Sequence, residues 1–423
     1  MNKVHFFRII LIICLYSTFI SNDKLNAQYI EYAFRHISAT DGLSNVTVLS
    51  ITQDKQGFMW FGTMDGLNRF DGEQIKVYRE DPEESFSLGS SYIWSVLCTP
   101  DSNIWVGTNR GLFLYDFIHD NFNLISVKNS NGDPIFMSVR SLFQQNDILW
   151  IGTESGVFMY DLKNEHFIAF DDKTEYHKQI GIVYCFLTLE SDELWVGSAQ
   201  GLFKQSGKNL ISIQLSEYTD RNIIVRSITN DSKGNLWLGT DNPDVGLIIY
   251  NPETQKIREL SFKHGELPNN QIRSLFRSQV GEIWIGTRDG LAILDEVTLD
   301  TKFLLHDRLE QFSLSQNSIR PIYESREGII WIGTYSGGVN YFDPRTELIT
   351  HFTDAINYDN TINYNIITSI YKDKNDELWL GTEGRGVNVY NAEKTEFRYI
   401  RQNSNGTGLV HENIKEILED KKG

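Results

Sequence analysis

Short stretches in which apolar and polar residues alternate recur along almost the whole chain. The first covers residues 46–53 and is rich in β-branched side chains, which favour strands. A turn with glycine at its last position follows, and three more short apolar stretches come next, at residues 58–63, 67–71 and 74–78. The pattern predicts four consecutive antiparallel strands joined by tight turns.

This four-strand pattern recurs eight times, and each copy carries Trp-x-Gly-Thr or Trp-x-Gly-Ser in its second stretch. The motif tryptophans are 42–48 residues apart, a period typical of β-propeller blades. One four-stranded sheet cannot bury both of its faces, so the blades are expected to stack radially with the tryptophans between them. We predict an all-β propeller of four-stranded antiparallel blades, with seven blades favoured and eight as the alternative. The motif tryptophans are Trp60, Trp105, Trp150, Trp195, Trp237, Trp284, Trp331 and Trp379.

Composition and charge exclude several classes of function. The 423 residues are 40% hydrophobic and 13% aromatic, as in a globular protein, and the net charge of −17 should repel nucleic acid and anionic membranes. The nine histidines are scattered without the spacing of metal ligands, and no phosphate-binding loop motif is present. We therefore expect no nucleic-acid partner, no metal and no cofactor.

The first 27 residues predict a secretory signal peptide. Lys3 and Arg8 precede an apolar run at residues 9–20, and Ala27 offers a small residue for cleavage. The run is short for a membrane span, so an uncleaved anchor is the alternative rather than the preferred interpretation. The segment predicts export across the inner membrane into the periplasm.

Candidate ligand-binding residues open the inner strand of six repeats, near the mouth of the central channel. They lie eleven residues before the motif tryptophan, or ten in the third repeat. Four arginines in an acidic body suit carboxylate or sulfate groups, with sugar faces stacking on the two aromatic rings. The alternative is that the arginines bond carbonyl groups of neighbouring blades. These residues are Arg140, Arg226, Arg273, Arg320, Trp94 and Tyr184.

Weaker candidates follow the tryptophan motif in the turn between the second and third strands. This turn lies on the same face of a four-stranded blade as the start of the inner strand. Polar turn residues are mostly solvated, so fewer of them are expected to bind a ligand. They are Asp65, Asn109, Arg110, Glu154, Arg288, Asp289, Tyr335, Glu383 and Arg385.

The segments FMWFGTMDGLNRFDG, GNLWLGT and GIIWIGTYSGGVNYFDP resemble the two-component regulator propeller repeat. That family forms the extracytoplasmic sensor half of hybrid two-component systems in Bacteroidetes. The resemblance implies a periplasmic sensor that binds glycan fragments and controls polysaccharide-utilisation genes. It also implies two successive seven-bladed propellers, followed by a β-sandwich, a membrane span, a histidine kinase, a receiver and a DNA-binding module.

The domain organisation expected from the repeats has three parts. Residues 1–27 form the signal peptide, and residues 28–345 form a seven-bladed propeller whose last blade is completed by residues 34–37. Residues 346–423 hold the eighth repeat and the start of a ninth, as the beginning of a truncated second propeller. On this interpretation we expect the kinase and DNA-binding modules to be missing from the truncated chain, and contact with a membrane to run through those modules or through an uncleaved signal.

Three classes of function remain open. The favoured one is a glycan sensor with an oligosaccharide ligand, without enzymatic activity of its own. The second is a protein-interaction module, with a homodimer as one form. The third is a glycosidase or lyase, which needs a converging pair of acid–base groups that the sequence does not single out. The segments TQDKQGFMW and TNDSKGNLW are similar to the Asp-box turn of sialidases, but that turn is structural and does not imply hydrolysis.

Overall fold

A computed structural model describes residues 32–128, 134–168, 180–189, 191–207, 209–215, 223–345, 352, 361–391, 396–403 and 408–420. The predicted signal peptide, residues 1–27, lies outside this part of the chain. No helix among the described residues is long and apolar enough to cross a membrane. The chain divides into two compact units, one spanning Tyr32–Thr346 and the other containing Glu347–Gly423.

Eight four-stranded antiparallel sheets correspond to the eight sequence repeats, which confirms the predicted all-β fold. Blades 1 to 4, each from inner to outer strand, are Val48–Gln53, Met59–Thr63, Gly66–Phe70 and Ile75–Tyr78; Ile93–Cys98, Ile104–Thr108, Gly111–Asp116 and Asn121–Ile125; Val139–Gln145, Ile148–Thr153, Gly156–Asp161 and His166–Ile168; and Val183–Thr188, Leu194–Ser198, Gly201–Ser206 and Asn209–Ile213.

Blades 5 to 8 follow the same order along the chain, except that the outer strand of blade 7 comes from the amino-terminal side. They are Val225–Asn230, Leu236–Thr240, Leu247–Tyr250 and Ile257–Leu260; Ile272–Arg277, Glu282–Thr287, Gly290–Asp295 and Thr301–Leu304; Ile319–Glu324, Ile330–Thr334, Val339–Phe342 and Arg35–Ile37; and Ile367–Lys372, Leu378–Thr382, Val387–Asn391 and Glu396–Ile400. The remaining elements are the hairpin Val127–Lys128 with Pro134–Ile135 and the 3-10 turns Ala39–Asp41 and Phe262–His264.

The first unit closes into a ring of seven blades. The inner strands of neighbouring blades contact one another in order, and the inner strand of blade 7 contacts that of blade 1. The ring is fastened by Arg35–Ile37, which pairs antiparallel with Val339–Phe342 and sets Arg35 opposite Tyr341. Strands from the two ends of this unit therefore complete one sheet, which leaves no blade edge open at the junction.

The Trp-x-Gly-Thr motif is buried where two blades meet. In the ring all seven motif tryptophans are at most 5% exposed, and Trp60 packs edge-on against Tyr115 of blade 2 with ring centroids 5.0 Å apart. A Cβ atom on Gly62 would clash with Oγ of Ser50 and lie 2.8 Å from Cγ2 of Ile93 on the next inner strand. Glycine is required here because two inner strands approach the same point.

An aspartate fixes the turn that follows the inner strand in blades 1, 5 and 8. In blade 1, Oδ1 of Asp54 accepts the backbone N–H groups of Gln56 and Phe58 at 3.0 Å, and Oδ2 accepts the indole N–H of Trp60 at 2.7 Å. Asp231 with Trp237 and Asp373 with Trp379 repeat the indole bond. The turn therefore anchors the buried tryptophan, a structural role.

Blade 8 lies in the second unit. The described residues that follow this blade pack against its second strand. The backbone N–H of Ile414 donates to the carbonyl of Thr382 at 2.9 Å, and a Cβ on Gly381 would lie 2.7 Å from Cγ2 of Ile414. Ile93 of blade 2 packs against Gly62 of blade 1 in the same way. Residues 413–420 form an isolated bridge at Asn413 rather than a strand.

Candidate functional site

Every inner strand carries a register shift near its first residue. In blade 6, for example, Ile272 pairs with Thr287 and Ser274 pairs with Gly286, so Arg273 has no partner in the ladder. A bulge of this kind turns the extra side chain away from the regular alternation of the strand. In blades 1–7 the residues in the bulge are Leu49, Trp94, Arg140, Tyr184, Arg226, Arg273 and, with Pro321, Arg320.

We call the end of the seven-bladed ring where these bulges lie the mouth. The bulges thus place all six sequence-predicted candidates at one position of their blades. The turn that follows the second strand is tied to the same end, because its first residue bonds the backbone just before the bulge. In blades 5 and 7, the N–H groups of Asp241 and Tyr335 donate to the carbonyls of Ile224 and Ser318 at 3.2 and 3.0 Å.

Trp94 and Arg140, from blades 2 and 3, form a first contact across two blades. The guanidinium carbon of Arg140 lies 3.5 Å from the ring centroid of Trp94, and Arg140 also bonds the carboxylate of Glu154. The indole N–H of Trp94 donates to Oδ1 of Asn109 at 2.6 Å, and its ring lies 4.4 Å from that of Tyr92. Stacking of a cation on an aromatic face and a charged hydrogen bond together hold Arg140 in place.

Tyr184 and Arg226 repeat this arrangement in blades 4 and 5. The guanidinium carbon of Arg226 lies 4.3 Å from the ring centroid of Tyr184. Nε and one terminal nitrogen of Arg226 donate to Oδ2 of Asp241 at 2.9 and 2.8 Å. Arg226 therefore already has a neutralising carboxylate, and the exposed fraction of the Asp241 side chain is only 12%.

The positive charges of Arg273 and Arg320 are less well neutralised by carboxylates. Among the described residues, Arg273 has one ion pair, in which a terminal nitrogen lies 3.9 Å from Oδ1 of Asp241, and Arg320 has none. The pKa of Arg320 is lowered from its usual value, first by burial and then by the positive charges of Arg273 and Arg226. Arginine still carries its charge at neutral pH, so the three guanidinium groups form a concentration of positive charge. The Nε atoms of Arg140, Arg273 and Arg320 are buried and have no hydrogen-bond partner within the described part of the chain.

The two aromatic candidates, expected from the sequence to stack on sugars, instead stack on arginines in the structure. A guanidinium group lies on a face of both Trp94 and Tyr184, so those faces are covered rather than offered to a sugar. The alternative role for the arginines, bonding carbonyls of neighbouring blades, does not describe the contacts either. Among the described residues, the hydrogen bonds of Arg140 and Arg226 go to carboxylates.

Sequence reasoning missed two residues of the mouth. Asp241 directly follows the Trp-x-Gly-Thr motif of blade 5, the position that Tyr335 holds in blade 7. Tyr92 lies two residues before a bulge; burial raises its pKa, and the charges of Arg320 and Arg140 act in the opposite direction. Asp241 and Tyr92 lie at fixed distances from the tryptophan motif and from the bulge, so aligning the repeats could have identified both residues.

A cavity lies on the opposite face of the ring, at the seam between blades 1 and 7. It is lined by apolar side chains that include Met59, Phe70 and Trp331. The amide of Gln53 donates to Glu327 across this seam at 2.8 Å. The contact joins the first and last blades, and the cavity is remote from the mouth because it is lined by the turns of the other face. Among the described residues, no group of three or more histidine, cysteine, aspartate or glutamate side chains could hold a metal ion.

Six segments of the chain match the family model described as two component regulator propeller, at residues 42–65, 87–110, 219–242, 266–289, 313–336 and 361–384. These are two-component regulator propeller repeats. The resemblance seen in the sequence is thereby confirmed. Each matched regulator propeller segment runs from the loop before an inner strand to the turn after the tryptophan motif, so it contains both positions that form the mouth.

The regulator propeller is similar to solved extracellular domains of two-component systems. The chain is 27% identical to the extracellular domain of a protein described as a hybrid two-component system of B. thetaiotaomicron, with a TM-score of 0.70 over 93% of this chain and 51% of that one. A second such domain from B. thetaiotaomicron is 23% identical, with a TM-score of 0.61 over 92% of this chain and 50% of that one, and shows the fold alone.

Histidine kinase P4 of Formosa agariphila is 48% identical over 65 residues, which are 15% of this chain and 5% of that protein. The chain thus spans about half the length of the solved extracellular domains and a small part of the kinase. The regulator propeller is therefore similar to the sensor side of such systems.

Proposed function

We propose that this chain is the propeller part of a periplasmic sensor of a hybrid two-component system, and that its mouth binds a fragment of an anionic polysaccharide. The repeat family and the likeness to extracellular domains of such systems support the sensor role. In this proposal the response, control of polysaccharide-utilisation genes, is carried by kinase and DNA-binding modules of the system. The propeller itself has no catalytic part.

The observation that carries the ligand proposal is the set of arginines in the inner-strand bulges. Arg226, Arg273 and Arg320 lie on consecutive blades, and their charges interact closely enough to lower the pKa of Arg320, after the larger effect of burial. Assembling like charges costs free energy, which an anionic ligand would offset. The net charge of −17 repels anions in general, so a local basic mouth is what such a ligand requires.

The two carboxylates that bond arginines of the mouth favour binding rather than catalysis. A glycosidase needs two carboxyl groups free to act as acid and base or nucleophile. Glu154 and Asp241 are each bonded to an arginine of their own blade, so neither has that freedom. A dimerisation or protein-interaction module remains the alternative, and it predicts no saturable binding of oligosaccharides.

Isothermal titration of the full chain with matched oligosaccharides would test this function. The panel would contain one backbone in neutral, carboxylated and sulfated forms, with product analysis after long incubation. We expect saturable binding of an acidic form, no binding of the neutral form, and loss of binding in the double variant Arg273→Ala, Arg320→Ala. Absence of binding by every glycan would contradict the proposal, and cleavage products would favour a hydrolase or lyase instead.

A further inference from the structure

We infer that the mouth contains one defined anion subsite, between Arg273 and Arg320, and that Tyr335 is the platform for the sugar ring that carries the anion. This inference rests on the proposed function and names the part of the mouth responsible for it. The ligand class is an acidic oligosaccharide whose carboxylate or sulfate group is bound by two guanidinium groups. Arg140 and Arg226 then serve as fixed neighbours of the subsite.

We assign the subsite to Arg273 and Arg320 because the four arginines differ in the carboxylate and aromatic contacts that they already make. Arg140 has a carboxylate and an aromatic face, and so has Arg226. Arg273 only shares Asp241 with Arg226, at 3.9 Å against 2.8 Å. A ligand anion would have to displace an existing bond to reach Arg140 or Arg226, whereas Arg273 and Arg320 lack such a bond.

Two features of Arg273 and Arg320 point to an anion. Their Nε–H groups, like that of Arg140, are buried and have no acceptor among the described residues, but unlike Arg140 they have no bonded carboxylate. An unmet buried donor costs free energy until an acceptor arrives. The two residues come from equivalent bulges on adjacent blades, and the charge of Arg273 lowers the pKa of Arg320 after the larger effect of burial. One carboxylate or sulfate between them would meet both requirements, because its oxygens accept hydrogen bonds from two guanidinium groups at once.

Tyr335 is the aromatic side chain beside this pair that offers a surface. The guanidinium carbon of Arg320 lies over one face of its ring, but at 5.1 Å from the centroid, farther than the 3.5 and 4.3 Å found at Trp94 and Tyr184. Tyr335 is 47% exposed, whereas Trp94 and Tyr184 are only partly exposed. Its backbone is held on both sides, since its N–H donates to Ser318 and its carbonyl accepts the hydroxyl of Thr47. An exposed ring on a fixed backbone can receive the apolar face of a sugar with little loss of conformational entropy.

The subsite can be tested without knowing the glycan. The rise in melting temperature of the full chain would be measured with inorganic sulfate and with acetate at constant ionic strength, which also distinguishes the two anion types. Arg273→Gln and Arg320→Gln should each weaken binding of sulfate or acetate about 10-fold or more, the range expected for a lost charge-assisted hydrogen bond. Arg308→Gln, an exposed arginine of the loop that precedes blade 7, makes the same charge change and should leave binding within about twofold.

The platform is tested by Tyr335→Ala. This variant should weaken binding of the acidic oligosaccharide about 5- to 10-fold and leave binding of the free anion within about twofold, because only the sugar uses the ring. Circular dichroism melting curves without ligand would show that each variant is folded.

The outcomes separate the subsite from the function. If the acidic oligosaccharide binds normally to Arg273→Gln and Arg320→Gln but is lost in Arg140→Gln, the mouth binds the glycan and the subsite is wrong. Equal losses of free-anion binding in Tyr335→Ala and the arginine variants would refute the role of Tyr335. If the wild-type chain binds neither free anions nor acidic oligosaccharides, the proposed function fails together with the subsite.

Discussion

The substitution Glu296→Gln tests how much a buried carboxylate of blade 6 stabilises the face opposite the mouth. Glu296 follows the third strand of blade 6 and accepts two hydrogen bonds from Arg277, at 2.8 and 3.1 Å. It also accepts the backbone N–H of Ser232 in blade 5 at 3.3 Å. The Glu296 side chain is only 8% exposed, so its carboxylate interacts with protein groups rather than with water.

The magnitude follows from the pKa of Glu296. The bond from Arg277 is the main cause that lowers this pKa from 4.5 to about 2. The difference corresponds to about 3 kcal/mol, since one unit is about 1.4 kcal/mol. Arg277 is 34% exposed, and solvent screening reduces the expected contribution to about 2 kcal/mol at neutral pH.

The sign of the pH dependence is fixed by the direction of the shift. A carboxyl group whose pKa is lowered by folding stabilises the fold fully above its unfolded pKa, and the stabilisation is lost as pH falls through the folded value. For Glu296 that window runs from about pH 4.5 down to about pH 2. At pH 3 roughly half of the contribution, about 1 kcal/mol, should remain.

Urea unfolding of wild type and Glu296→Gln at pH 7 and at pH 3 measures this contribution. We expect the variant to be about 2 kcal/mol less stable at pH 7 and about 1 kcal/mol less stable at pH 3. Glu253→Gln, on an exposed turn of blade 5, makes the same charge change and should alter stability by less than about 0.5 kcal/mol. A destabilisation of Glu296→Gln that is the same at both pH values would refute the electrostatic reasoning.

Three further stability predictions concern the buried motif, each read from thermal and urea unfolding. Gly62→Ala should cost about 1–3 kcal/mol because its Cβ has no room between two inner strands, and a neutral result would show that the strands separate easily. Asp54→Asn should cost about 1–3 kcal/mol, since it replaces the acceptor of the Trp60 indole N–H with an amide that must turn to accept it. Ser325→Asp should add about 1 kcal/mol by giving the unpartnered indole N–H of Trp331 the acceptor that blade 1 has; lower stability would mean that burying the carboxylate costs more than the bond contributes.

The strands and the blade core could be read from the sequence. Alternation at residues 46–53 predicts the strand found at Val48–Gln53, and the turn before Gly57 predicts a positive φ, found at 99°. Both depend on interactions within a few residues, which is why pattern alone reveals them. The burial of Trp60 follows from the repeat, because no blade can cover both faces of its own sheet.

The partners of the mouth residues could not be read in the same way. The sequence marks Arg140 and Arg226 as equivalent candidates with Trp94 and Tyr184 as sugar platforms, but in the structure each arginine lies on one face of one of these rings. The contacts join side chains on neighbouring blades, 46 residues apart for Trp94 and Arg140 and 42 for Tyr184 and Arg226. Such contacts depend on the angle between blades and on the bulge, which a periodic pattern does not encode.

The sequence by itself therefore determined the repeat unit, its strands and the residues that pack the blades, because these follow from local alternation, turns and the need to bury both faces of each sheet. Only the tertiary structure decided between a ring of seven blades and one of eight. Only the tertiary structure showed that Arg140 and Arg226 each bond a carboxylate, whereas Arg273 and Arg320 bond none among the described residues. The physical reason is that closure and charge compensation depend on distances between residues that are far apart in the chain.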